Sequence, residues 1–270
     1  MFDPDFDQAV RPLFVPGMGT EHVAPWLYSL VRLTRPRRVL EVGLGYTTPF
    51  LARALADTMA EVAADRATLA EPEPDDQRAN LLSADWYAGR YRPRLHAIDD
   101  FSGTGSSARL ALDTLAKLGL ADLVKTHEGD FRGMSQHISR ADLPFDLVWL
   151  DAGAMADYVD FLAEYWPLIS QDHGLLVVHY SYWTLGTDAR GETVKGLISG
   201  PVLNEIKRQQ AVAGLGARFE VLSLVEPHKT RQGSVSLIRK LPPLSLTRDF
   251  GFAQEAREIT GETTAPFPKL

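Results

Sequence analysis

The 270-residue chain contains no cysteine. That excludes disulfides and thiolate metal sites, so a packed core must hold the fold. No apolar run approaches the ~20 residues needed to span a bilayer, which argues against a membrane protein. Positive charge is also short: 28 Lys and Arg face 35 Asp and Glu, a formal charge of −7 with a pI near 5.5. A nucleic-acid partner normally requires a basic face. The one tight basic cluster, Arg35-Pro36-Arg37-Arg38, leads into an apolar stretch and reads as the solvated entry to a strand. The N-terminal Met1-Phe2-Asp3-Pro4-Asp5 lacks the basic-then-apolar order of a secretory signal, and a soluble, cytoplasmic protein is the expectation. What is present is ordinary for a globular chain: 45% hydrophobic and 23% charged residues, enough for one large α/β domain with appendages.

The chain is organised around Val39-Leu40-Glu41-Val42-Gly43-Leu44-Gly45-Tyr46-Thr47-Thr48-Pro49. A β-rich run ends in two glycines one residue apart, followed by a helical pattern. This predicts a strand, a tight turn and a helix, with Thr48 as N-cap and Pro49 at the first helical position. Such a unit binds nucleotides at the helix N-terminus. The dinucleotide fingerprint wants a third glycine where Thr48 stands and an acid about twenty residues later. Neither is present, which disfavours a nicotinamide dehydrogenase.

Around this unit the pattern alternates. Val23 to Leu33 reads as an amphipathic helix with Leu27, Leu30 and Val31 inward. Strands are predicted at 94–100, 123–128, 145–151 and 174–180, and helices at about 49–59, 107–118, 158–168 and 194–210. An alternating hairpin is predicted over 219–225 and 233–239. Residues 60–92, with Glu71-Pro72-Glu73-Pro74 and then a short helix around Asn80 to Tyr87, exceed a normal connection and read as an insertion, either a surface flap or a substrate lid. Residues 1–36 are expected to cover the site, 37–240 to form the domain, and 241–270 to be an extension that wraps the domain or a partner subunit in a homodimer.

Glu41, two residues ahead of Gly-x-Gly, resembles the first motif of class I S-adenosylmethionine-dependent methyltransferases. Phe145-Asp146-Leu147-Val148-Trp149-Leu150-Asp151-Ala152 resembles the Phe-Asp-x-x-x-x-Asp-Ala motif of small-molecule O-methyltransferases of the catechol and caffeoyl-coenzyme A type. Tyr158, Pro167-Leu168 and Gly174-Leu175-Leu176-Val177 fall where that group has equivalents, so the resemblance covers roughly residues 10 to 240. It implies a Rossmann-like α/β sheet of parallel strands closed by an antiparallel C-terminal hairpin, with helices on both faces. It also implies S-adenosylmethionine as cofactor and S-adenosylhomocysteine as product.

Residue by residue, the resemblance places the cofactor against the turn Gly43, Gly45, Thr47 and Thr48. Asp99, with Asp100 and Phe101 beside it, would take the ribose hydroxyls. Asp130, after Gly129, would take the adenine amine, with Phe131 stacking on the ring. Glu41 would hold the turn or the methionyl amino group, and Asp151 would face the methionyl end. Met18, Thr20 and Glu21 lie where relatives close an N-terminal segment over that end.

The sequence departs from the group at one place. Metal-dependent relatives follow strand five with Asp-Asn, a hard oxygen site for Mg²⁺; here those positions read His179-Tyr180. Imidazole and phenol are poor Mg²⁺ ligands, so metal-independent transfer is expected, with no metal bound. His179 then becomes the candidate general base, the alternative being a hydrogen-bonded core histidine. Histidines 22, 96, 127, 137, 173 and 228 show no metal-ligand spacing and read as structural or solvated. Tyr180, Tyr182 and Trp183, with Trp86-Tyr87 in the insertion, suit a flat aromatic or heteroaromatic acceptor such as a phenol or an indole-type ring. The runner-up function is a regulatory subunit that binds the nucleotide but has lost catalysis. Nucleic-acid methylation ranks below it, because net charge opposes it and no Asn-Pro-Pro-Tyr-like motif follows strand four.

Overall fold

The computed structural model describes residues 2–71, 81–103, 106–153, 157–187, 190–229 and 234–242, with Arg257 and Gly261; side chains at 183–187, 193–198 and 215 are outside the description. The parallel strands are β1 (Arg38–Val42), β2 (Arg94–Asp99), β3 (Val124–Glu128), β4 (Leu147–Leu150) and β5 (Leu175–His179). After the separate pair β6 (Tyr182–Thr187) and β7 (Thr193–Ser199), the strands β8 (Phe219–Leu224) and β9 (Val235–Lys240) complete a seven-stranded sheet of order β3-β2-β1-β4-β5-β9-β8. Strand β9 runs antiparallel to both β5 and β8, so the expected closing hairpin is present. The chain leaves β1 for β2 on one side and later returns beside it as β4. The crevice between the carboxyl ends of β1 and β4 is therefore the switch point where open α/β sheets bind ligands.

The parallel strands are apolar because both faces are covered. On one face Val39, Leu147, Trp149 and Val177 pack with Leu27 and Val31 of α2 (Val23–Thr34) and Leu51 and Leu55 of α3 (Thr47–Leu69). On the other, Leu40, Val148, Leu150 and Leu176 meet Phe161 and Tyr165 of α6 (Asp157–Tyr165). Among the described residues the other α-helices are α1 (Pro4–Val10), α4 (Ala84–Ala88), α5 (Ala108–Lys117) and α7 (Pro201–Ala213). Helix α1 had no counterpart in the sequence reading; Asp3 caps it by accepting from the Phe6 N–H, and Phe6 is fully buried.

Three boundaries correct the expectations. Helix α3 starts at Thr47, with Tyr46 as N-cap and Pro49 third in the helix, where a missing N–H is still tolerated. It then runs on to Leu69, because Glu61 to Leu69 contains no helix breaker before Pro72. At 1.5 Å per residue this carries the chain roughly 35 Å back toward the amino end of the sheet. The described part of the insertion docks there: Tyr91 donates to Pro36 O, Trp86 lies under Arg37, and Tyr87 bonds Asp65 of α3. Trp86 and Tyr87 are thus at the end of β1 opposite the glycine turn; residues 72–80 lie outside the described residues.

The predicted helix 194–210 is split. Residues Thr193–Ser199 pair with Tyr182–Thr187 as a second, two-stranded sheet, and only from Pro201 is the chain helical. Thr193, Val194 and Ile198 are compatible with a strand once a partner is present, and Gly200-Pro201 presets a helix start. The C-terminal extension lies outside the described residues from 243 onward, apart from Arg257 and Gly261.

Candidate active site

The glycine turn is built by its neighbours. Gly43 has φ +97°, and a Cβ there would sit 2.6 Å from the Asp151 carbonyl oxygen, so only glycine fits between β1 and β4. Its N–H donates to Ile98 O at the end of β2. Asp99 fixes the rest: one carboxylate oxygen accepts from the Leu44 N–H (2.9 Å), the other from the Phe101 N–H (2.8 Å). The Gly45 N–H donates to the Thr48 hydroxyl at 3.0 Å. Thr48 therefore stabilises the turn from inside the helix rather than capping it.

A cavity of about 250 Å³ opens over the carboxyl ends of β1 to β4, lined among others by Gly43, Asp99, Asp100, Gly129, Asp130 and Phe131. Six residues expected from sequence to hold a nucleoside converge on one crevice. Asp130 projects outward and accepts from the Arg132 N–H. Phe131 is 7% exposed, packs edge-on against Phe161, and carries the Arg132 guanidinium 4.6 Å above its ring. Arg132 itself is held by Asp130, Asp157 and Asp160. Arg132, Ala152, Gly153 and Asp157 also line the cavity and were missed in the sequence, because nothing in local patterning aims them there.

Beneath the turn lies a row of buried polar groups. Glu41 is fully buried; Thr47 donates to one of its oxygens at 2.6 Å, and the other has no hydrogen-bond partner. Burial pushes the Glu41 carboxyl up to about 8; the Thr47 and Thr48 hydroxyls oppose this, and Asp151 and Asp99 add to it. Trp149 Nε1 donates to the same Thr47 hydroxyl.

At the end of β5, His179 is fully buried with Nδ1 2.5 Å from Asp151 Oδ1. An ionised carboxylate only accepts, which places the proton on Nδ1 and leaves Nε2 as the basic nitrogen. That Nε2 has no hydrogen-bond partner. Tyr180, at φ +49°, sets its ring 3.8 Å from the His179 ring. Its hydroxyl donates to Met18 O at 2.6 Å, and Gly19 leaves room for it. The N-terminal segment thus lies across the end of β5, bringing Met18 and buried Thr20 to this side of the site. Tyr182 is engaged elsewhere, accepting from Lys207 of α7, while the Trp183 side chain lies outside the described residues. The structure therefore joins Met18, Asp151, His179 and Tyr180, and holds Tyr182 by a different helix.

Asp151 is bound to an imidazole, and Tyr180 is bound to a carbonyl.

The comparisons with known proteins bear on the family and the fold. The family described as "Methyltransferase domain" matches residues 40–180, the stretch from the glycine turn to His179-Tyr180. Among solved structures, the chain is similar to the O-methyltransferase TomG of Streptomyces achromogenes, involved in tomaymycin synthesis and solved in complex with SAM: TM-score 0.55, 20% identity, 89% of this chain and 91% of that one covered. An O-methyltransferase of Bacillus cereus in complex with SAH aligns with TM-score 0.54 at 14% identity, covering 89% and 92%. The SAH-bound Podospora anserina methyltransferase PaMTH1 aligns with TM-score 0.50 at 17% identity, covering 88% of each chain. At these identities the likeness carries the fold. No curated protein matches the chain by sequence. With more than half its length matched by the family, from the first glycine turn through the fifth parallel strand, the chain belongs to the methyltransferase domain family.

Proposed function

We propose that this chain transfers a methyl group from S-adenosylmethionine to a small aromatic or heteroaromatic acceptor, at oxygen, nitrogen or a nucleophilic ring carbon, without a metal. The observation that carries the reading is the crevice at the switch point, where Gly43 abuts the Asp151 carbonyl and Asp99, Asp100, Gly129 and Asp130 line one cavity. The residues fit the cofactor: carboxylates at the ends of β2 and β3 would accept from ribose hydroxyls and the adenine amine, and the unpartnered oxygen of Glu41 lies behind the turn. When bound, S-adenosylmethionine supplies a methyl on a sulfonium, an electrophile that needs no metal activation.

The protein's own work is then alignment and proton removal. His179 Nε2 takes the acceptor proton, and the Asp151 carboxylate on Nδ1 holds the ring and offsets the imidazolium charge. The ring is sealed in the free chain, so acceptor entry requires the Tyr180 ring to move. Asp151 being committed to His179 is what supports metal-independent transfer.

The test is radiolabelled methyl transfer to a panel of phenols, aromatic amines and indoles, with and without chelator. Turnover that survives chelator is expected, and His179→Ala is expected to lower it by roughly 10²–10⁴, the range of a lost general base, with S-adenosylhomocysteine affinity retained. Mg²⁺-restored activity after chelation would contradict the metal-independent reading. Near-wild-type turnover of His179→Ala would remove the base.

A further inference from the structure

Away from the crevice, the fold brings together three groups that the sequence keeps far apart. His22, at the start of α2, places Nδ1 2.7 Å from Oε1 of Glu226, which lies 204 residues away in the loop after β8. His228 of the same loop sets its ring 5.8 Å from that of His22. Each residue offers one ligand atom, and the three atoms lie within 4.8 Å of one another.

Two imidazoles and a carboxylate are a borderline-soft donor set that suits Zn²⁺ and neighbouring divalent transition metals, not Mg²⁺. Ligands at about 2.0–2.2 Å from a tetrahedral ion sit roughly 3.4 Å apart. The His22 side chain is 63% exposed, and a modest side-chain rotation would close the observed spread to that distance. Among the described residues, Lys229 bridges Glu226 and Glu21 at 2.8 and 2.9 Å.

We propose that His22, Glu226 and His228 form a transition-metal site, selective for Zn²⁺-like ions, that fastens the N-terminal segment to the loop between β8 and β9. Below the cluster an apolar crevice of about 200 Å³ separates α2 from the ends of those strands, lined by Val23, Trp26, Leu224 and Val235 among others. The polar contacts above it therefore join the two segments. The fastened segment includes Met18 and Gly19, which hold Tyr180 over His179. The ion acts at a distance from the acceptor and is separate from any Mg²⁺ dependence of turnover.

The experiment is calorimetric titration of the chelator-treated full chain with Zn²⁺, and with Co²⁺ read by its visible d–d absorption, alongside thermal melting. One ion per chain is expected, with a tetrahedral-type Co²⁺ spectrum and a melting temperature raised by Zn²⁺. His22→Ala and His228→Ala are each expected to weaken binding at least about tenfold, since even outer partners of metal ligands carry that much. Both histidines are exposed, and the contact of His22 with Glu226 is a surface pair that contributes little by itself, so the variants should melt close to wild type without metal. His173→Ala, at an exposed histidine outside the cluster, is expected to change nothing. No binding, or binding undiminished in the doubly substituted chain, would overturn the site. Binding with no rise in melting temperature would overturn the fastening role. Methyl transfer by the double variant, assayed with chelator, separates this outcome from the metal independence of the reaction.

Discussion

Glu41 is the residue whose environment departs furthest from its chemistry. A carboxylic acid with no exposure and one oxygen unpartnered prefers its neutral form, which is why burial raises it to about 8. The folded chain therefore holds this proton more tightly than the unfolded chain, where the group titrates near 4.5. The resulting stability is fully present below that lower value and is lost as pH rises toward about 8. Glu41→Gln keeps the shape and removes the titration. The variant is expected to gain on wild type as pH rises through this window, read as urea midpoints at pH values bracketing it. Parallel curves for the two proteins would contradict the buried, raised carboxyl. Sequence alone could position Glu41 ahead of the glycines, because order along the chain is visible there. It could not show that Thr47 turns inward to meet it, nor that Asp151 and His179, 28 residues apart, close on one another. Those contacts depend on two strands being neighbours and in register.

Among the elements, the β1 turn is the most demanding. Its Gly43 combines a left-handed φ with a Cβ position 2.6 Å from a backbone oxygen that cannot step aside. Gly43→Ala is expected to cost about 1–3 kcal/mol from backbone strain, and more from displacing β4. Chemical denaturation should show that loss together with weaker S-adenosylhomocysteine binding; an unchanged midpoint would mean the turn relaxes freely. The parallel strands were legible because apolar runs bounded by turns have few other readings. The pair β6–β7 was not, since Val194 to Ile198 suits a helix or a strand until its partner is known. Helix α3, expected over about 49–59, was read too short, and the continuing Ala-rich stretch carries the chain to the far end of β1. That length decides where the insertion docks: its described aromatics meet Arg35 and Arg37, not the crevice.

For the whole molecule, the sheet order puts the acidic ends of β2 and β3 and a glycine turn around one crevice, while the N-terminal segment closes the side near His179. The ordered series of strand-end acids could be read from sequence, since each follows its own apolar run. Convergence of His22 with Glu226 and His228 could not, because it arises only when the start of α2 and the loop after β8 meet. The most direct test of the account is calorimetric titration of the purified chain with S-adenosylhomocysteine and, separately, with NAD, each with and without chelator. Micromolar binding of S-adenosylhomocysteine that ignores chelator, with no heat from NAD, is the predicted result. Binding of NAD, or of neither ligand, would contradict the reading of the stretch from Glu41 to Thr48 and the proposed function with it.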